Sequence, residues 1–473
     1  MLDKVAGILG DVVRDTWAAD TQQWGERVRL FRDYADGNHR AKMTDPMKEL
    51  LRIADATEEQ FNANYCDMIV QTMADRLVVE KIAGAQDTDT VWADELRQEN
   101  RFDALQIDVH EATVRDGDTF IMLAFDNESK RTVWEHEPAY DGEVGMIAVY
   151  DRMRRNMVAA VKIWWEAGFK TRRVNVYFAD RIMKYSEGEQ SLTAIDSEFA
   201  EGYEWNSLVG VPVVHFRNRG RANKERGLSE LADAVPLQDA LNRTLVSMVI
   251  TAELTAFQIR YAIGFPPPDK TTPGMWIAAG EEGVTKDQVV EVGVLEQGQI
   301  MPFIQQAQHL EGQMGTITRT PLPNFMGGDN ASGEALKQRE SYLLAKVKKF
   351  QVKGGNAWED VMALSVRMTR VYGVDGGAPA EGTRWNTQWK DAQMRNDTEV
   401  VDNALKVADR VGNKEFLRLI APVFNYDEQR LTKIEMEKAE ETTQALSQLP
   451  LPGFGEFGGS GVDVDPVVDD AAA

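Results

Sequence analysis

Between residues 236 and 317, two apolar helical patterns are separated by a segment that no helix can cross. Leu237, Leu241, Leu245, Met248, Ala252 and Ile259 mark one face of a first helix, with Pro236 as a suitable first-turn residue and an end expected near Ala262. Gly264-Phe265-Pro266-Pro267-Pro268 then takes away backbone donors and locks φ, and Thr272-Pro273-Gly274 repeats the interruption. Short apolar runs at 275–278 and 289–294 predict a small β-containing insert. Helical spacing resumes at Pro302, with Phe303, Ala307, Leu310, Met314 and Ile317 alternating four and three apart, the repeat that seats one helix against others.

A second break follows at once. Pro321-Leu322-Pro323-Asn324-Phe325-Met326-Gly327-Gly328-Asp329-Asn330-Ala331-Ser332-Gly333 reads as a loop, with Ser332 placed to cap the next helix. Leu336, Leu343, Val347 and Phe350 carry the first apolar face of that helix, and Trp358, Val361, Ser365, Met368 and Tyr372 carry its second half. Gly354-Gly355 between the halves predicts a bend. The plan is therefore helix, insert, helix, loop, long helix.

Upstream, Trp24, Val28, Phe31 and Ala35 predict a helix ended by Asp36-Gly37-Asn38, and Tyr65, Ile69, Met73 and Leu77 predict another. Further helices are expected at 90–98 and 102–115. From Gly117 the period changes to two, giving strands at 119–125, 131–135, 145–150, 157–165, 172–178, 181–185 and 211–216. Closely spaced turn residues between them predict an antiparallel meander in an α+β domain, not βαβ units. After Gly373 the reading is a Gly-rich connector, a strand at 383–389, and helices at 398–410, 414–419 and 427–446. No Lys or Arg follows Glu440, and the final two dozen residues, rich in Pro, Gly and Asp, are expected to be disordered.

The 473 residues allow two or three domains at roughly 100–200 residues each. With 53 Lys and Arg against 76 Asp and Glu, the net charge of −23 argues against a broadly DNA-adhesive surface. Cys66 is the only cysteine, which excludes internal disulfides and multi-cysteine zinc sites and suits a reducing compartment. No basic flank leads into an apolar core near residue 1, so no secretion signal is expected. The most apolar run, 244–259, contains Glu253 and Gln258 and falls short of the roughly 20 residues that span a bilayer.

Motifs for catalysis are missing. There is no G-x-x-x-x-G-K-[ST] loop, no G-x-S-x-G elbow, and His39, His110, His136, His215 and His309 form no metal-ligand pattern. No catalytic residue, metal or cofactor is expected. Pairs such as Glu58-Glu59 and Glu281-Glu282 read as solvated surface. The Gly327–Gly333 loop could offer free N–H groups to an anion, but Asp329 and Glu334 place negative charge there. Two basic clusters stand out: Arg217, Arg219, Arg221, Lys224 and Arg226, and Lys337, Arg339, Lys346, Lys348, Lys349 and Lys353. Each is either a contact to phosphates or to an acidic neighbouring subunit, or a solvated face with local ion pairs.

Several segments resemble portal proteins of tailed double-stranded DNA phages, in particular those of long-tailed actinobacteriophages. They are Phe31-Arg32-Asp33-Tyr34-Ala35-Asp36-Gly37-Asn38-His39, Asn64 to Val70 with Ala74-Asp75-Arg76-Leu77, and Pro236 to Thr244. Thr318-Arg319-Thr320-Pro321-Leu322-Pro323, followed by Ala331-Ser332-Gly333-Glu334-Ala335-Leu336, resembles the family's junction from second stem helix through tunnel loop into a long helix.

The resemblance implies a portal fold: antiparallel-sheet wing at 1–230, first stem helix at 231–262, clip at 263–300, second stem helix at 301–320 and tunnel loop at 321–333. The long bent helix and rest of the wing would take 334–397, a helical crown 398–446, and an acidic tail 447–473. It implies a dodecameric ring at the capsid portal vertex, assembled in the host cytoplasm, through which double-stranded DNA is packaged and ejected without sequence specificity. Implied partners are the terminase large subunit, head-completion or adaptor proteins, and major capsid and scaffolding proteins, with no membrane. Asn324, Phe325, Met326, Asp329 and Asn330 are expected nearest DNA; Lys346, Lys348 and Lys349 face the channel or pair with a neighbour's carboxylates. Leu241, Leu245, Phe303, Leu310, Met314 and Ile317 are expected to pack the stem. The competing readings are a DNA-processing enzyme with a hidden carboxylate metal site and a different structural virion protein.

Overall fold

The computed structural model describes residues 1–39, 43–53, 63–151, 156–166, 171–187, 192–194, 209–221, 224–256, 260–263, 276–279, 291–294, 298–321, 333–373, 377–393, 405–406, 413–424, 430–434 and 436. The chain divides into a unit spanning Met1–Gln393 and a second spanning Met394–Ala473.

In the first unit, helices α1 (Leu2–Leu9), α2 (Trp17–Ala35), α3 (Asp45–Ile53) and α4 (Tyr65–Ala74) lead into strand β1 (Val79–Ala83) and helices α5 (Asp87–Glu99) and α6 (Phe102–Asp116). The helix start at Tyr65 is set by Asn64, whose side-chain oxygen accepts from the Cys66 and Asp67 N–H groups and so satisfies two of the otherwise orphaned donors. Helix α6 ends where Gly117 takes a φ of 93°, a left-handed turn that a side chain would strain.

Eight strands follow: β2 (Asp118–Asp126), β3 (Arg131–Pro138), β4 (Gly145–Tyr150), β5 (Met157–Trp165), β6 (Arg172–Phe178), β7 (Ile182–Glu187), β8 (Leu192–Ala194) and β9 (Val213–Arg217). The expected meander is real but divided. Strands β4 to β8 form one antiparallel sheet in sequence order, whereas β2 sits between β3 and β9 in a separate three-stranded sheet. Alternation explains the division of labour. Ile121, Leu123 and Phe125 of β2 join one core, while the intervening Phe120 joins another with Met146, Ala160 and Val28. Ile147, Val161 and Val174, on the opposite face of the second sheet, pack with Leu2, Val5 and Trp17.

Helix α7 (Val235–Ala256) and helix α8 (Met301–Thr318) pack together and flank a small sheet of β10 (Arg260–Ile263), β11 (Trp276–Ala279) and β12 (Glu291–Val294). Strand β10 pairs parallel to β11 and antiparallel to β12. The first helix therefore stops short of the expected Ala262, and residues near that point are strand.

Helix α9 (Gly333–Tyr372) runs 40 residues through Gly354-Gly355 as one helix, as expected. The two glycines make room for a strand. Strand β13 (Asn386–Trp389) crosses here and pairs with β1, Thr387 donates its hydroxyl to the Gly355 carbonyl at 3.1 Å, and a Cβ at Gly355 would lie 3.2 Å from Trp389. Trp358, with no exposed surface, is packed by Phe102 and Phe216 and donates its indole N–H to His110 at 2.9 Å. In the second unit the described structure is chiefly helix α10 (Asn413–Phe424). Most of the expected helices at 398–410 and 427–446, and the tail at 447–473, lie outside the described residues.

Candidate functional site

The paired helices α7 and α8 divide the expected packing stripe into two classes. Leu241 and Met314 are fully buried within the chain, and Leu245, Phe303 and Leu310 are half-buried. Ile317 keeps 51% of its surface and Met301 keeps 60%, so both ends of α8 present apolar side chains to solvent. Between them the outward residues are Gln305, Gln306, Gln308, His309, Gln313 and Thr316, all exposed. Glu311 is the only carboxylate on this helix, and it accepts the Tyr65 hydroxyl at 2.8 Å. A helix with so little charge is unusual in a chain of net charge −23.

Polar joints tie α7 to the helical layer. Gln238 has no exposed surface; its carbonyl oxygen accepts the Tyr65 N–H at 3.1 Å, and its amide donates to Asn242 at 2.9 Å and to the Ala63 carbonyl. The Tyr34 hydroxyl donates to Asp239, and burial together with that carboxylate raises the phenol pKa well above its ordinary value. Burial also pushes the nearby Cys66 thiol up to about 12, so it packs as an inert apolar group.

The root of the hairpin holds a buried ion pair. Lys346 of α9 donates to Glu230 at 3.1 Å and to the Thr318 carbonyl, a C-terminal acceptor of α8, at 2.9 Å. Asn218 completes the site by donating to Glu230 at 2.9 Å. One ammonium thus joins the segment before α7, the end of α8 and the first half of α9. Lys346, expected to face the channel or a neighbour's carboxylates, is 8% exposed and has its charge met by a carboxylate of its own chain. Burial lowers its pKa, opposed by Glu230. Lys348 and Lys349 are exposed, and among the described residues they meet no carboxylate of the same chain.

The first basic cluster is also largely committed within the chain. Arg226 stacks over Trp24 at 3.9 Å and donates to Thr21 at 2.8 Å, Arg217 lies over Tyr150, and Arg219 pairs with Asp233 at 3.4 Å. His215 bridges Tyr150 and Asp118, at 2.8 Å to each, and burial lowers its pKa. Among the described residues no group of His, Cys, Asp and Glu is placed to hold a metal ion, and no helix is long and apolar enough to cross a membrane. Asn324, Phe325, Met326, Asp329 and Asn330 lie outside the described residues.

Sequence reasoning missed the joints formed by Glu230, Gln238, Asn242, Tyr65 and Glu311. A signal was present: Gln238 and Asn242 stand four apart on the same stripe as Leu241 and Leu245, where a polar residue must find a partner.

The sequence profile of the family described as phage portal protein, SPP1 Gp6-like, matches residues 20–444. The chain belongs to this portal family. The resemblance read from its segments is borne out, as is the α+β class with antiparallel sheets. Two curated relatives are named portal protein. One, from Mycobacterium phage L5, is 29% identical over 224 residues, 45% of this chain and 45% of the relative. The other, from Mycobacterium phage D29, is 29% identical over 226 residues, 44% of each. The match thus spans less than half the length of these portal proteins. Among solved structures, chains from the neck of an empty gene transfer agent particle (12% identity, TM-score 0.41, 81% of this chain and 95% of that one) and of a native particle (11%, 0.40, 84% and 98%) are similar. Membership of the portal family rests on the sequence profile, not on these distant shapes.

Proposed function

We propose that copies of this chain close into a ring at one capsid vertex and that double-stranded DNA passes through the ring during packaging and ejection. The observation that carries this reading is the portal-family match across residues 20–444, which includes the helix, insert, helix, loop, long-helix plan. The surface chemistry of α8 supports it. Amides and a hydroxyl exchange hydrogen bonds with phosphates without the counterion release that makes lysine-rich surfaces hold DNA, and the acidic remainder discourages sticking. Uncovered Ile317 and Met301 are suited to burial against a neighbouring copy.

The working assignment is wing at 1–230, stem at 231–262 and 301–320, clip at 263–300, tunnel loop at 321–333, long helix and remaining wing at 334–397, and crown at 398–446. The ring is dodecameric, as the resemblance implies. Asn324, Phe325, Met326, Asp329 and Asn330 approach the DNA. The insert docks the terminase large subunit during packaging and head-completion proteins afterwards, with capsid and scaffolding proteins around the ring. The role is structural rather than catalytic.

Single-particle imaging of the purified full chain tests the proposal. A pierced ring with α8 on the channel side is the expected result. A chain that stays monomeric at high concentration, and that is missing from the tail-joining vertex of virions, would overturn it.

A further inference from the structure

We infer that one seam of the ring sets the outer face of α9 against the outer face of α6 of the next copy; this rests on the ring reading above. Helix α9 buries Leu343, Val347, Phe350 and Trp358 on one side. On the other side, Tyr342, Ala345, Lys349 and Val352 form an i, i+3, i+7, i+10 stripe, with Lys348 beside it. Tyr342 is 58% exposed and Val352 66%. Helix α6 likewise buries Gln106, Val109, His110 and Thr113 and leaves Asp103, Ala104, Ile107 and Asp108 outside, with Ile107 61% exposed.

The two faces are built alike with opposite sign. Each carries uncovered apolar side chains flanked by charges, lysines on α9 and aspartates on α6. Among the described residues, neither the two lysines nor Asp103 and Asp108 have an ion-pair partner in the chain. The surrounding segments agree: residues 87–116 hold nine acidic and three basic residues, whereas 333–372 hold four acidic and eight basic. Duplex DNA would satisfy the lysines, but its phosphate backbone gains nothing from covering Tyr342 and Val352. A second copy offering Ile107 between Asp103 and Asp108 satisfies both kinds of group. Because each copy offers both faces, the contact can repeat head-to-tail from copy to copy, as ring closure requires, with a reciprocal two-fold dimer as the other arrangement the same faces allow.

The test uses two full-length charge-reversed variants, K348E/K349E and D103K/D108K, each followed by mass photometry and by thermal melting. All four positions are exposed, so both variants are expected to stay folded, with D103K/D108K melting slightly lower because Asp103 sits in the first turn of α6. Each alone should need at least about tenfold more protein to form rings, because like charges then face each other across every seam. Mixed in equal amounts they should regain wild-type assembly, since alternating copies restore opposite charges at each contact. Rings formed by either variant alone at the wild-type concentration would overturn the contact, including the case where such rings lose only their hold on DNA. So would failure of the mixture while both variants remain folded. A wild-type chain that forms no ring would instead sink the ring reading itself, and that control separates the two failures.

Discussion

The Lys346 ammonium lies 3.1 Å from a Glu230 carboxylate oxygen, with both side chains closed off from water. Removing the lysine alone strands a buried carboxylate with Asn218 as its remaining partner. Lys346→Ala is therefore expected to cost about 3–5 kcal/mol in denaturant unfolding. The double variant Glu230→Gln/Lys346→Met removes both charges and should recover at least about half of that loss. A double variant as unstable as the single one would mean that the two groups are not coupled.

Stability should fall on mild acidification because of His110. Its ring accepts the Trp358 N–H on Nε2 and lies 2.6 Å from the Leu77 carbonyl through Nδ1, so a second proton would meet a donor. Burial lowers its pKa to about 4, below the roughly 6.5 of an unfolded chain. Between those values the unfolded state binds more protons; the contribution is whole above about pH 6.5 and is lost as pH falls towards 4, roughly 3 kcal/mol in all. His136 and His215, also lowered by burial, act in the same direction. Urea unfolding at pH 7 and pH 5 should reveal the slope, and His110→Gln should flatten it.

Gly354→Ala offers a clean contest between helix propensity and packing. Propensity alone would stabilise the helix by about 1 kcal/mol. However, the new Cβ would lie 2.9 Å from the Phe350 ring and 3.5 Å from Trp389, so net destabilisation of about 1–3 kcal/mol is expected. A raised melting temperature would show that Phe350 can step aside.

Ile317→Asp and Leu310→Asp separate assembly from folding. Ile317 is half exposed in the single chain, so its replacement should leave the melting temperature within about 2 °C while reducing ring yield. Leu310 is half-buried; charging it should lower both yield and melting temperature. Normal rings from both variants, judged by mass photometry, would remove the stem stripe from the seam.

Local periodicity made much of the fold legible. Strands at Gly145–Tyr150, Met157–Trp165 and Arg172–Phe178 agree with the alternating pattern to the residue, and α8 departs from its expected limits by one at each end. What stayed hidden depended on partners distant in the chain. The strand at Asn386–Trp389 was legible, but its partner β1, five residues between two helices, was not, because it is held only by that distant pairing. Gly354 and Gly355 read only as a bend in the long helix because the strand that needs their missing side chains lies some thirty residues onward. Lys346 read as one more surface lysine in a basic run; its burial depends on Glu230, 116 positions earlier. The short strand β10 was absorbed into the preceding helix because Arg260–Ile263 carries no turn signal before it.

The pairing of Val79–Ala83 with Asn386–Trp389 also sets an order in time. Closing so long a span is slow, and it cannot begin until Trp389 has left the ribosome. Until then α9 lacks the strand that fills the space at Gly354 and Gly355, so the packing around its middle waits on residues 386–389.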